Sequence, residues 1–111
     1  MRIPTVTDQM LDKVLDQAAS PVFVEFREGT WDCLVVHRRI EVLAEDWDDR
    51  VIFLRIDVDE NPTYQAAYRA LELPCIVIFR RGKEYGRCIG NLERETMELL
   101  LQRAIEADIR E

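Results

Sequence analysis

Apolar positions in this chain fall into two periods, and the change from one to the other marks out the elements. Met10, Leu11, Val14, Leu15 and Ala18 recur at three- and four-residue spacing, which predicts a helix with one apolar face. Thr7 precedes it as a cap, Asp8 stands in its first turn, and Ser20-Pro21 ends it. Residues 21–26 (PVFVEF) then form a continuous β-branched and aromatic run, the pattern of a central strand covered on both faces. Val35, Val36, Ile40, Leu43, Ala44 and Trp47 predict the inward side of a second helix, which gives out in the acidic run at 46–49. Residues 51–57 read as another buried strand. Asn61-Pro62 supplies a cap and a first-turn proline for a third helix, with Tyr64, Ala67, Tyr68 and Leu71 expected inward.

The last third continues the alternation. Residues 75–79 (CIVIF) predict a strand, and Arg81-Gly82 a tight turn into a weakly patterned strand over 84–89. A final helix from about Leu92 is expected to bury Met97, Leu100, Leu101, Ala104 and Ile105. Residues 2–6 can add a short strand, confined to a sheet edge by Pro4. The order β-α-β-α-β-α-β-β-α predicts a three-layer α/β/α sandwich. Its mixed central sheet has four to five strands, flanked by about four helices.

Length and composition narrow the function. The 111 residues suit a single domain spanning 1–111, and with 48% apolar residues the chain can bury a real core. Fifteen basic against 22 acidic residues give a net charge of −7, which argues against nucleic-acid and anionic-membrane surfaces. No apolar run approaches the roughly 20 residues of a membrane span. The opening MRIPTVTDQ lacks the apolar core of a secretion signal, so a cytoplasmic location is expected. Cys33, Cys75 and Cys88 have no C-x-x-C spacing, which indicates neither a disulfide scaffold nor a zinc knuckle. The single histidine, His37, lies beside Arg38 and Arg39 and is expected on the surface or half-buried. No metal or cofactor is expected.

Five spaced features then coincide. PVFVEF ends in an acid and an aromatic residue; RIDVDENPTYQAAY (55–68) carries an Asp, an Asn-Pro helix start and a tyrosine. LPCIVIF (73–79), FRRGKE (79–84) and Ile89-Gly90 follow in order. In this combination the chain resembles the thioredoxin family over essentially its whole length. The resemblance implies a cis peptide bond before Pro74. It also implies that Glu25 matches the buried acid beneath the family's active site, with Arg55 near it as a supporting base.

The departure is at the site itself. The family's C-x-x-C opens the second helix. Counting back from Ile40, Leu43 and Ala44 places Thr30-Trp31-Asp32-Cys33 on those four positions, with threonine in place of the leading cysteine. Counting forward from Phe26 instead places Trp31 on the leading cysteine and no cysteine on either position. A helix must keep its phase whereas a loop absorbs a deletion, which favours the first register. Both remove the leading thiol. Putting Cys33 on the leading position needs larger length changes on both sides.

Disulfide exchange needs an accessible thiolate and then a resolving thiol. Cys33 stands in the resolver's place, with Glu25 and Asp32 opposing its ionisation. Thr30 reads as a helix cap where an active relative has its nucleophile. The expectation is a non-catalytic protein- or peptide-binding role, as chaperone, adaptor or maturation factor. Its groove would be formed by Thr30, Trp31, Asp32, Leu73, Pro74 and Cys75, with Arg27 at its border. The alternative is a thiol-disulfide protein acting through Cys33 alone, with Glu25 as proton carrier, or through a Cys33–Cys75 pair. A purely structural domain is the third reading. The sequence assigns no oligomeric state.

Overall fold

Every residue from Val22 to Phe26 is buried, which requires cover on both faces of the strand they form. The computed structural model describes residues 3–90 and 92–110, apart from the side chains at 63, 64 and 108–110. Strand β1 (Val22–Arg27) lies inside a four-stranded sheet of order β2-β1-β3-β4. It runs parallel to β2 (Ile52–Asp57) and antiparallel to β3 (Cys75–Arg80), which pairs in turn with β4 (Lys83–Ile89). A parallel pair needs a long crossover, and helix α2 (Trp31–Trp47) supplies it. Helices α1 (Asp8–Gln17), α3 (Pro62–Ala67) and α4 (Arg94–Arg110) complete the expected sandwich.

The period of two along each strand divides the core between the faces. Phe23, Ile76 and Ile78 pack with Val36, Ile40, Leu43, Ala44 and Trp47 of α2 and with Met97, Leu101 and Ala104 of α4. Val22, Val24, Phe26, Cys75, Val77 and Phe79 face the other way, onto Leu11 and Leu15 of α1 and onto Tyr68 and Ala70. Thr7 caps α1 by accepting a bond from the Met10 amide at 3.3 Å. The hairpin between β3 and β4 turns on Arg81 (φ 53°) and Gly82 (φ 78°); two successive positive φ values make the type I′ geometry that matches strand twist.

Three expectations are corrected. Of residues 2–6, position 2 lies outside the described set, and the rest contribute only one bridge, Thr5 to Arg55. Pro4 accepts from the Arg55 amide at 2.9 Å but has no N–H to return, so the ladder stops there. Helix α3 ends at Ala67, and Arg69 takes a positive φ of 55°. The helical phase therefore breaks before Leu71, which is exposed, as is Ala67; Ala70 is buried instead. The side chain of Tyr64 lies outside the described set. Val35, expected inward on α2, is only half-buried.

The loop from α3 to β3 is held from across the sheet. Arg87 on β4 donates to the carbonyls of Tyr68 (2.7 Å) and Arg69 (3.1 Å) and forms a two-point bond to Glu84 at 2.6 and 2.8 Å. The Arg87 bond is the largest cause holding the Glu84 carboxyl below its ordinary value, partly offset by burial. Glu84 is well exposed, so screening leaves that ion pair a small stabilisation. The two carbonyls matter more. Arg87→Met is expected to cost about 1–2 kcal/mol in urea unfolding at pH 7. A depressed folded value adds stability above the ordinary value of 4.5 and loses it as pH falls through the folded value. The wild-type advantage should accordingly shrink, without vanishing, in acid.

Candidate functional site

Helix α2 begins where β1 delivers the chain to one end of the sheet. Thr30 has an extended backbone (φ −96°, ψ 162°), and its Oγ1 accepts from the Cys33 amide at 3.4 Å. It is the helix cap. Asp32 is exposed in the first turn, and Cys33 is fully buried on the inner side. Trp31 is turned outward and 73% exposed.

Opposite Trp31 stands the loop carrying the Leu73–Pro74 bond, which is cis as expected. Trp31, Asp32, Val35, Arg39, Leu73, Pro74 and Gly90 line a cavity of about 340 Å³ between helix and loop. Four of the expected groove residues are thus brought together: Trp31, Asp32, Leu73 and Pro74. Thr30 is exposed but absent from the lining. Cys75 is buried in the α1-side core, and Arg27 reaches instead toward Asp57 of β2, at 3.7 Å. The sequence reading missed Val35, Arg39 and Gly90. Residues 31, 35 and 39 are successive turns of one helical face, the signal that could have placed the first two.

The cysteines do not meet. All three are free. Cys75 packs among the residues facing α1, whereas α2, which carries Cys33, covers the opposite face. The Cys33–Cys75 disulfide considered from the sequence is not formed in this structure. Burial pushes the Cys75 thiol up, with Glu84 and Cys88 adding to the rise and Arg87 opposing it. Burial also raises Cys88 on β4.

The largest correction concerns the carboxylate under the helix. Glu25 is fully buried, and its strand neighbour in register is Arg55, as the resemblance implied. Its hydrogen-bond partner, however, is His37, whose Nδ1 lies 2.6 Å from Oε1. His37 is buried, not on the surface. Its Nε2 lies 3.2 Å from both Arg55 Nη1 and Glu41 Oε1. A neutral ring protonated on Nδ1 can accept from Arg55, whereas an imidazolium donates to Glu41. The His37 ring thus stands between Glu25 and Arg55. The outer edge of this cluster opens to a cavity of about 630 Å³ lined by Ile3, Pro4, Thr5, His37, Glu41 and Arg55. The second oxygen of Glu25 has no hydrogen-bond partner among the described residues.

Comparison with known proteins places this geometry in context. The thioredoxin family model matches residues 2–103. Thioredoxin of Staphylococcus epidermidis is 30% identical over 105 residues, covering 93% of this chain and 98% of that protein. Thioredoxin of Staphylococcus aureus is 29% identical over the same shares. The X-ray structure of Fasciola hepatica thioredoxin superposes with a TM-score of 0.85 at 24% identity, over 92% of this chain and 99% of that one.

The pairing of Glu25 with His37 predicts an asymmetric mutational cost. His37→Leu leaves a buried carboxylate without its partner and should lower stability by about 3 kcal/mol. The double variant Glu25→Leu/His37→Leu should recover most of that loss, because two apolar groups replace the pair. Chemical unfolding of the three proteins at pH 7 measures both; equal losses in single and double variants would refute the assignment.

Proposed function

The chain belongs to the thioredoxin family, and we propose that it is a binding member whose active-site positions no longer carry a dithiol. The observation that carries this reading is the junction of β1 and α2. A threonine cap opens the helix, and Cys33, the cysteine nearest that opening, is fully buried. An exchange reaction begins with an accessible thiolate. Cys75 is equally buried and Cys88 half-buried, both with thiols pushed up, which lowers their thiolate population at neutral pH.

The binding half of the reading rests on the cavity at the cis-Pro74 loop. Leu73 precedes β3, and among the described residues no backbone bond is made to its N–H or C=O outside regular elements. An extended client could add to it as a strand does to a sheet edge, with an apolar side chain against Trp31 and Leu73. An exposed tryptophan beside a cleft is the residue type that most often anchors such contacts.

A second reading is favoured by the names of the relatives, which are thioredoxins. On it, Cys33 exchanges disulfides alone, with Glu25 and His37 handling the proton. An insulin-reduction assay with dithiothreitol separates the two. The expected result is no acceleration over dithiothreitol itself, and native protein at pH 7 should alkylate far more slowly than unfolded protein. Turnover that disappears in Cys33→Ser would overturn the binding reading in favour of the redox one.

A further inference from the structure

The outer face of α2 continues past the cleft. Trp31, Leu34, Val35 and Arg38 follow one another at helical spacing, and Val42 extends the line at 51% exposure. Trp31, Leu34, Val35, Arg38 and Arg39 line a second cavity of about 290 Å³, which shares Trp31, Val35 and Arg39 with the one at the cis-Pro loop. The two form one continuous surface from Pro74 to Arg38.

Its Arg38 end is basic although the chain as a whole is acidic, and the β3–β4 turn with Arg80, Arg81 and Lys83 is basic too; its only lining acid, Asp32, lies at the loop end. The chain carries a net −7, yet the lining of the second cavity contains two arginines and no acid. The arginines differ. Arg39 donates to the Leu92 carbonyl at 2.7 Å and lies 3.8 Å from Glu93, so part of its charge is spent within the fold. Arg38 is exposed, and no described residue pairs with it. An exposed cation beside an apolar strip favours a client with a carboxylate in reach once its apolar residue is seated.

We infer that the occupant of this surface is an extended peptide with an apolar residue at Trp31 and Leu73 and an aspartate or glutamate at Arg38. The inference rests on the binding reading above and names the client's chemistry. Arg38 lies two turns from Trp31, a rise of roughly 10 Å along the helix. An extended chain covers that distance in about three residues. With the reach of an arginine side chain added, the carboxylate falls roughly two to four residues from the apolar anchor. The chain's net charge of −7 opposes the approach of such a peptide, so the attraction is local and weakens with salt.

A random heptapeptide library displayed on phage tests this directly. Wild-type protein should enrich sequences with an acidic residue two to four positions from an apolar one. Arg38→Glu, checked for native circular dichroism, should deplete those sequences at least tenfold and enrich basic residues in their place. Arg38→Gln should lose the acidic preference without gaining a basic one. Enriched peptides that lack the acidic residue, or a profile unchanged in both variants, would overturn the acidic-client inference and leave the cleft reading intact. Failure to enrich any peptide, or enrichment indifferent to Trp31→Ala, would overturn the cleft reading itself.

Discussion

A carboxylate in the middle of a sheet covered on both sides sets the terms for everything around it. Glu25 stands on β1 with no exposed surface, where a carboxyl group without a partner would be too costly to keep. Its strand neighbours are Ile76, which is apolar, and Arg55, which reaches His37 and Asp57 instead, so the partner comes from the helix above. His37 meets that need at 2.6 Å. The contact therefore fixes the rotation of α2. With His37 facing the sheet, Cys33 four residues earlier faces it too, and Ile40 and Ala44 continue the same side. Trp31 is carried round to solvent. The inward thiol and the outward indole, on which the proposed function rests, both follow from that one rotation.

The other half of the cleft is positioned by a different device. Pro74 lies between two elements that are both anchored: β3 within the ladder and the end of α3 under Arg87. Gly90 donates to the Pro74 carbonyl at 3.0 Å with a φ of 95°, a backbone conformation suited to glycine. The loop is thus held from β4 at two places. A cleft between a fixed helix end and a fixed loop is largely preformed, which lowers the ordering cost of binding.

How much of this was legible in the sequence depends on whether the signal was local. The caps at Thr7 and Thr30, the Asn61-Pro62 start and the Arg81-Gly82 turn are each set by a few adjacent residues, and all appear where expected. The runs of β1, β2 and β3 were equally clear, because burial on both faces leaves few polar positions, Glu25 and Arg55 among them. The end of α3 was not, since the pattern continued to Leu71 while the helix stopped at Ala67 and Arg69 turned to a positive φ. His37 is the instructive miss. Its neighbours Arg38 and Arg39 suggested a solvated turn, yet its spacing from Cys33 and Ile40 puts it on the buried stripe. A polar residue on an apolar face calls for a buried partner, and Glu25 was already known to need one. Reading the two demands together would have paired them.

The same logic explains why the site residues separated as they did. Cys75 follows Pro74 directly, and adjacency in sequence suggested adjacency in the cleft. In a strand, however, successive side chains leave opposite faces. Cys75 is the register partner of Phe26 and shares its face with Val77 and Phe79, so it enters the α1-side core. Arg27 leaves the groove for a comparable reason. Glu25, Arg27, Arg55 and Asp57 occupy neighbouring positions on β1 and β2, and both arginines reach toward Asp57 at 3.7 Å. A cation half-buried next to a carboxylate on the adjoining strand has little reason to turn toward a cleft beyond it. What remains around the cleft is an apolar strip with Asp32 near the loop, Arg38 two turns away, and Arg39, common to both cavities, bonded to the Leu92 carbonyl. On the binding reading, such a surface would select by the order of side chains along an extended client, a property separate from any chemistry at sulfur.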